Sequence, residues 1–462
     1  MVPFVGPSYN LATREASVQR SVNLFLVAME AVAKSKFILQ SVPGLAVFAE
    51  PTGEIRGGIE AAGRVFIVAG STLYEYAADG TATARGTLAT ATGPVDLAWG
   101  TTQLVIVDGL NGYVLTLASN AFGIITSTGW LGSDRVGFLD GYFIFSDPGT
   151  QQFYISAIDD ATSLDALDFA SAESAPDDIV AHLVAHREAW FFGETTTEVW
   201  FNSGATDFPF SRNNGSTMEV GCVACFSAQK IDNGAMWIGR DTNGSGIVYR
   251  AIGYQPQRVS TVAVEEALQA STDISQARAY VYQMSGQTFY CINAPGVDST
   301  WCYEVSTGAW HERCDVDAVT GELIAHRAKC HVFGHSLHLV GGDDGIVYRM
   351  DQTVNTFNGD QMPRIRISPN NVTPMREHVP YHSFALDCST GHAPQGTDPQ
   401  VALSWSDNGG FTWGNPVQRT LGAAGHYMSR VFWTRLGMAR DRVWRVEFTE
   451  DAPFSIISAE SD

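Results

Sequence analysis

The chain has 462 residues, of which 28 are Lys or Arg and 49 are Asp or Glu, so its formal net charge is −21. Hydrophobic residues make up 45% and aromatic residues 11% of the sequence, which excludes a disordered or low-complexity chain. The length allows about three domains, or fewer if they are all-β. A surface of this charge repels phosphate backbones, so we expect no sequence-specific or tight binding of nucleic acid.

The apolar runs of the sequence are short. The longest, residues 23–33, is interrupted by Glu30 and falls below the roughly 18 residues that a membrane-spanning helix needs. The N-terminal residues lack the basic and apolar regions of a secretory signal. We therefore expect synthesis in a cytoplasm and no membrane insertion of the chain's own. The seven cysteines are sparse and odd in number, which predicts reduced, buried thiols.

Pairs of short β-strands separated by turns repeat along the chain. In each pair a strand of β-branched or aromatic residues is followed by a Gly, Asp or Asn turn and a second strand rich in Tyr or Trp, which is typical of a hairpin. About seven pairs recur at intervals of roughly 40 to 50 residues. They occupy residues 64–70 and 72–76, 103–108 and 113–117, 142–146 and 151–156, 189–193 and 196–202, 235–239 and 246–251, 288–293 and 299–305, and 336–340 and 346–350.

This spacing predicts an all-β fold, a β-propeller of about 6–7 blades, because radial stacking buries both faces of each small sheet. Residues 262–270 are the best helix candidate, with Ser260 and Thr261 available as caps. Residues 159–175 are expected to form an extended excursion with at most a short helix.

The composition of the sequence changes after residue 355, where prolines and asparagines form a linker-like stretch. We therefore divide the chain into three parts. Residues 1–50 form an N-terminal segment that closes or flanks the propeller, residues 51–355 form the propeller, and residues 356–462 form a small C-terminal β-rich domain that docks on the propeller or completes it.

Two groups of side chains have the chemistry of metal ligands. Cys222 and Cys225 have a ligand spacing, but no second pair lies at zinc-finger distance, so a buried strand is the preferred interpretation. In the second group, two or three side chains could converge on one face of a hairpin, although a structural histidine cluster is the preferred interpretation. Its members are His326, Cys330, His331, His335 and His338.

Acidic pairs at residues 159–160, 177–178 and 343–344 have the chemistry of glycoside hydrolysis, but neighbours in a strand or turn point in different directions. The string SDNGGFTW at residues 406–413 resembles the Asp-box of sialidases, with Asn408 in the Asp place. That box is a hairpin device, whose carboxamide binds local backbone N–H groups above Trp413. Glu312 and Arg313 are expected to pair across a turn. We predict no catalytic residue, no metal and no cofactor.

Several long strings, taken in order, resemble one family. They include QRSVNLF at residues 19–25, FLDGYFIF at 138–145, FGETTTEVWFNSGATDFPFSR at 192–212 and WIGRDTNGSGIVYRAIGYQPQRVSTVAVEEAL at 237–268. The sequence is similar to the tail accessory, or hub, proteins of short-tailed bacteriophages, also called packaged-DNA stabilisation proteins. The resemblance extends to about residue 350, and beyond residue 360 only the string around residues 405–413 is familiar.

The resemblance implies structural work in the virion tail, after synthesis in the host cytoplasm. Such hubs form a homo-oligomeric ring, six copies in the family, below the portal and its adaptor ring. They extend the channel, retain the packaged DNA, anchor the tail needle or plug and neighbour the tailspike or fibre proteins. An acidic channel wall would let double-stranded DNA pass without sticking. The family pattern contains no catalytic residues.

Two long polar segments, residues 159–178 and 202–221, are the candidate assembly-interface loops, because long insertions on a compact scaffold usually carry contacts. We expect them to contact a neighbouring subunit, the adaptor or the needle; the alternative is a surface loop packed on its own propeller. The candidate residues are Asp159, Asp160, Asp165, Asp177, Asp178, Phe208, Phe210 and Arg212. The alternative function is a carbohydrate-binding or glycoside-hydrolysing propeller, suggested by the aromatic content, the altered Asp-box and the acidic pairs.

Overall fold

The structure is a computed structural model that describes residues 4–30, 33–173, 175–241, 244–373 and 376–462. Strands make up nearly all of its regular structure. Among the described residues, no helix is long and apolar enough to cross a membrane.

The chain begins with five strands that serve two different parts of the molecule. They are Tyr9–Asn10 (β1), Val18–Val22 (β2), Leu24–Ala28 (β3), Phe37–Ser41 (β4) and Gly44–Ala49 (β5). Strands β2 and β4 pair with strands from the C-terminal part of the chain and β3 pairs with β4, whereas β5 pairs with a strand that ends at Asp351.

Four antiparallel sheets follow, which we number as blades in chain order. Blade 1 is Ile55–Ala61 (β6), Arg64–Ala69 (β7), Thr72–Tyr76 (β8) and Ala82–Thr87 (β9). Blade 2 is Asp96–Trp99 (β10), Gln103–Val107 (β11), Gly112–Thr116 (β12) and Ala121–Ile124 (β13). Blade 3 is Val136–Leu139 (β14), Tyr142–Ser146 (β15), Gln152–Ala157 (β16) and Asp160–Ser171 (β17). Blade 4 is Ile179–Ala185 (β18), Glu188–Gly193 (β19), Thr197–Asn202 (β20) and Phe210–Arg212 (β21).

Three further blades complete the propeller. Blade 5 is Gly221–Cys222 (β22), Gln229–Ile231 (β23), Gly234–Asp241 (β24), Gly244–Ile252 (β25) and Gln255–Arg258 (β26), with a 3₁₀ turn at Cys225–Ser227. Helix Val262–Gln269 (α1) and a 3₁₀ turn at Ile274–Gln276 lead to blade 6, which is Arg278–Met284 (β27), Gln287–Asn293 (β28), Thr300–Glu304 (β29) and Ala309–Val316 (β30), extended by Leu323–Ala325 (β31). Blade 7 is Cys330–Gly334 (β32), Leu337–Gly341 (β33) and Val347–Asp351 (β34), and its fourth strand is β5.

The seven blades close into a ring, so the predicted propeller is confirmed. Within the described residues, one apolar cluster lies between each blade and the next, including blades 7 and 1. Strand β11 shows why the sequence folds this way. Its alternate residues point to opposite faces, with Leu104 and Ile106 packed toward blade 1 and Val105 and Val107 toward blade 3. A strand segment buried on both faces must be apolar, as residues 104–107 are.

The C-terminal part is a β-sandwich. Its strands are Arg364–Ile367 (β35), Asn371–Val372 (β36), Val379–Pro380 (β37), Ser383–Cys388 (β38), Gln400–Ser406 (β39), Val417–Thr420 (β40), Val431–Thr434 (β41), Met438–Ala439 (β42), Asp441–Phe448 (β43) and Ser455–Ser461 (β44). One sheet has the order β2-β35-β43-β39-β40 and the other β3-β4-β44-β38-β41. Side chains from both sheets, among them Leu24, Phe384 and Trp444, form one buried cluster.

Two local predictions had different outcomes. The helix predicted at residues 262–270 is confirmed as α1, although the Thr261 side chain makes no capping hydrogen bond and Ser260 instead donates to Glu265 Oε1 at 2.6 Å. Most of the excursion expected at residues 159–175 is instead the outer strand of blade 3, because Asp160–Ser171 pair with β16 on both sides of a bulge.

Candidate assembly interface

The propeller and the sandwich share a continuous sheet at a buried junction. Strand β30 of blade 6 pairs in parallel with β2 of the sandwich through Val22 and Glu312. The Glu312 carboxylate accepts hydrogen bonds from the Arg20 guanidinium, with Nε at 3.1 and 3.0 Å from its two oxygens. Ser8 Oγ and Ser299 Oγ donate to the same carboxylate at 3.0 and 2.9 Å. The junction therefore holds the two parts as one body.

The expected pairing of Glu312 with Arg313 is wrong. Adjacent residues of a strand point to opposite faces, so only one of the two can face the junction. Arg313 points into blade 6, where its guanidinium hydrogen-bonds to the Tyr282 hydroxyl and lies 5.3 Å from the centre of the Phe289 ring. Burial raises the pKa of the Cys314 thiol to about 12, and the charge of Glu312 adds to that effect.

The first candidate segment begins with two carboxylates that join blade 3 to blade 2. Asp159 Oδ1 accepts a hydrogen bond from Thr101 Oγ1 at 2.8 Å, and Asp160 Oδ1 accepts one from Gln103 Nε2 at 3.3 Å. Asp160 also accepts from Thr162, and that hydrogen bond lowers the pKa of its carboxyl. Both side chains hold the position of the β16–β17 turn.

The middle of the first segment is a bulge that projects from the propeller. The ladder between β16 and β17 breaks after Tyr154↔Phe169 and resumes at Ser156↔Leu164, so four residues of β17 face one residue of β16. Leu167 lies in this bulge and is 81% exposed, and Phe169 beside it is 42% exposed. Asp165 accepts a hydrogen bond from Leu167 N at 3.0 Å. The bulge thus presents an apolar side chain beside carboxylates.

The end of the first segment holds two adjacent carboxylates in different environments. Asp177 Oδ2 accepts from Thr195 N at 2.6 Å, Thr195 Oγ1 at 2.8 Å and Thr196 N at 2.8 Å, which fixes the β19–β20 turn of blade 4. A Cβ on Gly193 would collide with this carboxylate, so the close approach requires glycine there. Asp178 is exposed and makes no hydrogen bond to any described residue.

The second candidate segment packs its aromatic rings inward. Phe210 is only 3% exposed, in the apolar cluster between blades 3 and 4, and its ring meets that of Tyr142 at 5.8 Å. The half-buried Phe208 ring lies 5.8 Å from that of Phe153. Arg212 contacts the buried Glu198 carboxylate at 3.6 Å. These side chains belong to the propeller's own packing.

Most of the predicted side chains of the two segments thus make internal contacts within blades 2, 3 and 4. Asp165 and Asp178 remain exposed. Sequence reasoning missed the two most prominent side chains, Leu167 and Phe169. Their signal is the string LDALDF at residues 164–169, in which apolar residues recur beside acidic ones.

The remaining sequence motifs have structural positions. Of the five members of the histidine and cysteine cluster, only His331 and His338 come together, with Nε2 and Nδ1 3.0 Å apart. Burial lowers the pKa of His331 to about 3. Cys222 is buried and Cys225 is half-buried, both as free thiols.

The Asp-box-like string forms the hairpin device that the sequence predicts. The Asn408 carboxamide oxygen accepts from Thr412 N at 3.0 Å, and Ser406 Oγ accepts from Gly410 N at 2.9 Å. Trp413 lies half-buried beside the Arg445 guanidinium. The string therefore serves the turn between β39 and β40.

Family models match the two parts of this chain separately. The model described as "Bacteriophage P22 Gp10, beta-propeller" matches residues 13–355, and the one described as "Bacteriophage P22 Gp10, beta-sandwich" matches residues 372–462. The chain belongs to the bacteriophage P22 Gp10 family. This confirms the resemblance to the tail accessory proteins of short-tailed phages and makes the chain a structural protein of the phage tail, located in the virion tail. The family does not favour a carbohydrate-active enzyme.

Matches outside the Gp10 family are distant. No protein with a curated description matches the sequence significantly. Among solved structures, the chain is similar to the extracellular domain of BT4673 from B. thetaiotaomicron, with 8% identity over 66% of this chain and 39% of that chain, and a TM-score of 0.45. The N-terminal domain of Nup159 matches with 8% identity over 72% of this chain and 99% of that chain, at a TM-score of 0.42. Such remote similarity adds nothing to the assignment.

Proposed function

We propose that this Gp10-family protein is the tail hub, or nozzle, of a short-tailed phage. Six copies form a ring below the portal's adaptor ring, extend the channel, retain the packaged DNA and anchor the tail needle or plug beside the tailspikes or fibres. The rigid junction carries the proposal: a continuous sheet and the buried Arg20–Glu312 pair join a closed propeller to a sandwich. A part that holds neighbours under load needs such a stiff body.

The β17 bulge is the proposed contact with a neighbouring subunit or the adaptor. Burial of the exposed Leu167 side chain in such a contact would contribute roughly 1.5 to 3 kcal/mol to the free energy of association. Asp165 in the same bulge adds negative charge beside it, which favours a basic rim on the partner. The charge of −21 supports a channel through which duplex DNA passes without adhering.

The test is DNA retention by tails rebuilt on adaptor-bearing heads. Adding the full chain is expected to protect packaged DNA from nuclease. Leu167→Asp should abolish protection while leaving the fold intact, because the side chain is exposed. Val319→Asp is the matched control, since Val319 is 94% exposed in a turn after blade 6. Equal protection by wild type and Leu167→Asp would reject the proposed contact, and no protection by wild type would reject the hub function.

A further inference from the structure

Basic side chains surround the axis of the propeller at the end where its inner strands begin. A pocket of about 310 Å³ lies there, lined by residues of blades 1, 2, 3, 5, 6 and 7. Five of the 28 basic residues of the chain line it, with Asp96 as the single carboxylate among the lining residues. Each stands within one residue of the start of an inner strand: Arg56, Arg135, Lys230, Arg278 and Lys329.

Two of these cations are already engaged by the protein. Arg56 donates to the carbonyl oxygens of Gly93, Gly70 and Thr90 at 2.6, 3.0 and 2.8 Å. Lys329 pairs with Asp343. They contribute positive potential to the pocket, while their hydrogen-bond donors serve the fold.

The other three are less fully engaged. Arg135 is only 7% exposed; its Nη2 donates to Ala228 O at 3.3 Å, and its Nε pairs with Asp96 Oδ2 at 3.2 Å without hydrogen-bond geometry. Arg278 and Lys230 have no hydrogen-bond or ion-pair partner among the described residues. Burial lowers the pKa of Arg56 although the charges of Asp108 and Glu54 oppose that shift, and the charge of Arg278 adds the smallest contribution in the lowering direction.

We propose that this axial pocket binds a compact oxyanion with more than one negative charge, of the phosphate or pyrophosphate class. Positive groups converge on it from separate blades in a protein whose overall charge is −21, and a concave, partly desolvated wall concentrates their field. Guanidinium groups match the geometry of phosphate oxygens. The pocket has the volume of a small-ligand site, which favours a free oxyanion over duplex DNA. The inference does not depend on the hub function.

The test is calorimetric titration of the full chain with inorganic pyrophosphate, against sodium chloride of equal ionic strength. We expect one site per chain. Arg278→Gln and Lys230→Gln should each weaken binding about tenfold, the usual loss of one charge-assisted hydrogen bond. Arg187→Gln is the matched control, because Arg187 is an exposed arginine in the β18–β19 turn, outside the pocket.

Absence of heat beyond that of sodium chloride would overturn the proposal, as would equal weakening by Arg187→Gln. A short DNA duplex is the second probe. If the duplex binds, Arg278→Gln weakens that binding, and pyrophosphate does not bind, then the pocket binds the end of a nucleic acid. The assignment to a free oxyanion would then be wrong. Melting temperatures of all variants must match that of the wild type, which confirms that weakened binding does not reflect unfolding.

Discussion

Removing Arg20 should weaken the junction between the propeller and the sandwich. Arg20→Met keeps the length of the side chain but leaves the Glu312 carboxylate, 3% exposed, without its cation. Breaking a buried pair from one side typically costs about 3 to 5 kcal/mol. Arg20 is 24% exposed and two serine hydroxyls still donate to Glu312, so we expect a cost at or just below the lower limit of that range, about 2 to 3 kcal/mol.

A double-mutant cycle separates the interaction energy of Arg20 and Glu312 from the other effects of each substitution on stability. Glu312→Gln removes the charge but keeps an acceptor for the serines, and the double variant has no unpaired charge at the junction. The free energy of unfolding, from urea titration followed by tryptophan fluorescence, should give a coupling energy of about 2 kcal/mol. The same cycle on Arg187 and Asp140, an exposed pair at 2.7 Å, should give less than about 1 kcal/mol. Equal coupling energies in the two cycles would show that burial adds nothing to the Arg20–Glu312 pair.

Three further predictions concern single side chains. Asp177→Ala should destabilise the protein by about 1 to 3 kcal/mol in thermal or urea unfolding, because the amides of Thr195 and Thr196 lose their acceptor. Asp178→Ala should change the free energy of unfolding by less than about 0.5 kcal/mol, the usual effect of a surface substitution. Equal effects of the two variants would contradict this prediction. Asn408→Ala should cost about 1 kcal/mol and shorten the life of the β39–β40 hairpin in hydrogen exchange, and unchanged exchange would reject the role of the carboxamide. Burial lowers the pKa of His182 to about 3, so between pH 6.5 and 3 the unfolded chain binds a proton that the folded chain does not, and the free energy of unfolding should fall as the pH decreases through that range. His182→Phe should reduce the slope of the free energy of unfolding against pH by the equivalent of one proton. An unchanged slope would contradict this prediction.

The repeated strand pairs were predictable because their side chains pack against both adjacent blades, which requires a recognisable run of apolar residues. All seven predicted pairs are the second and third strands, in sheet order, of the seven blades, where both faces are covered and most residues are apolar. The inner strands are harder to find. Strand β6 contains Gly57 and Gly58, where an added Cβ atom would collide with Val95 O and Phe66 O respectively. Close packing near the axis therefore selects glycine and interrupts the alternation of apolar and polar residues that identifies a strand.

The partners of the N-terminal strands could not be predicted from local pattern. Strand β2 pairs with β35, more than 300 residues later, and alternation in a strand carries no information on a partner so distant. The same limit applies to Glu312, whose cation Arg20 lies on β2. The candidate segments were found because they are long and polar, but which of their side chains face outward depends on the register with β16, which breaks at the bulge.

A rigid, ring-forming role in the tail can be observed by electron cryomicroscopy of the full chain bound to adaptor-bearing heads. We expect a six-fold ring below the adaptor, with each propeller and sandwich fitting the density as one body and the β17 bulge buried against a neighbour. Separate positions for the two parts, or single copies attached without a ring, would contradict it.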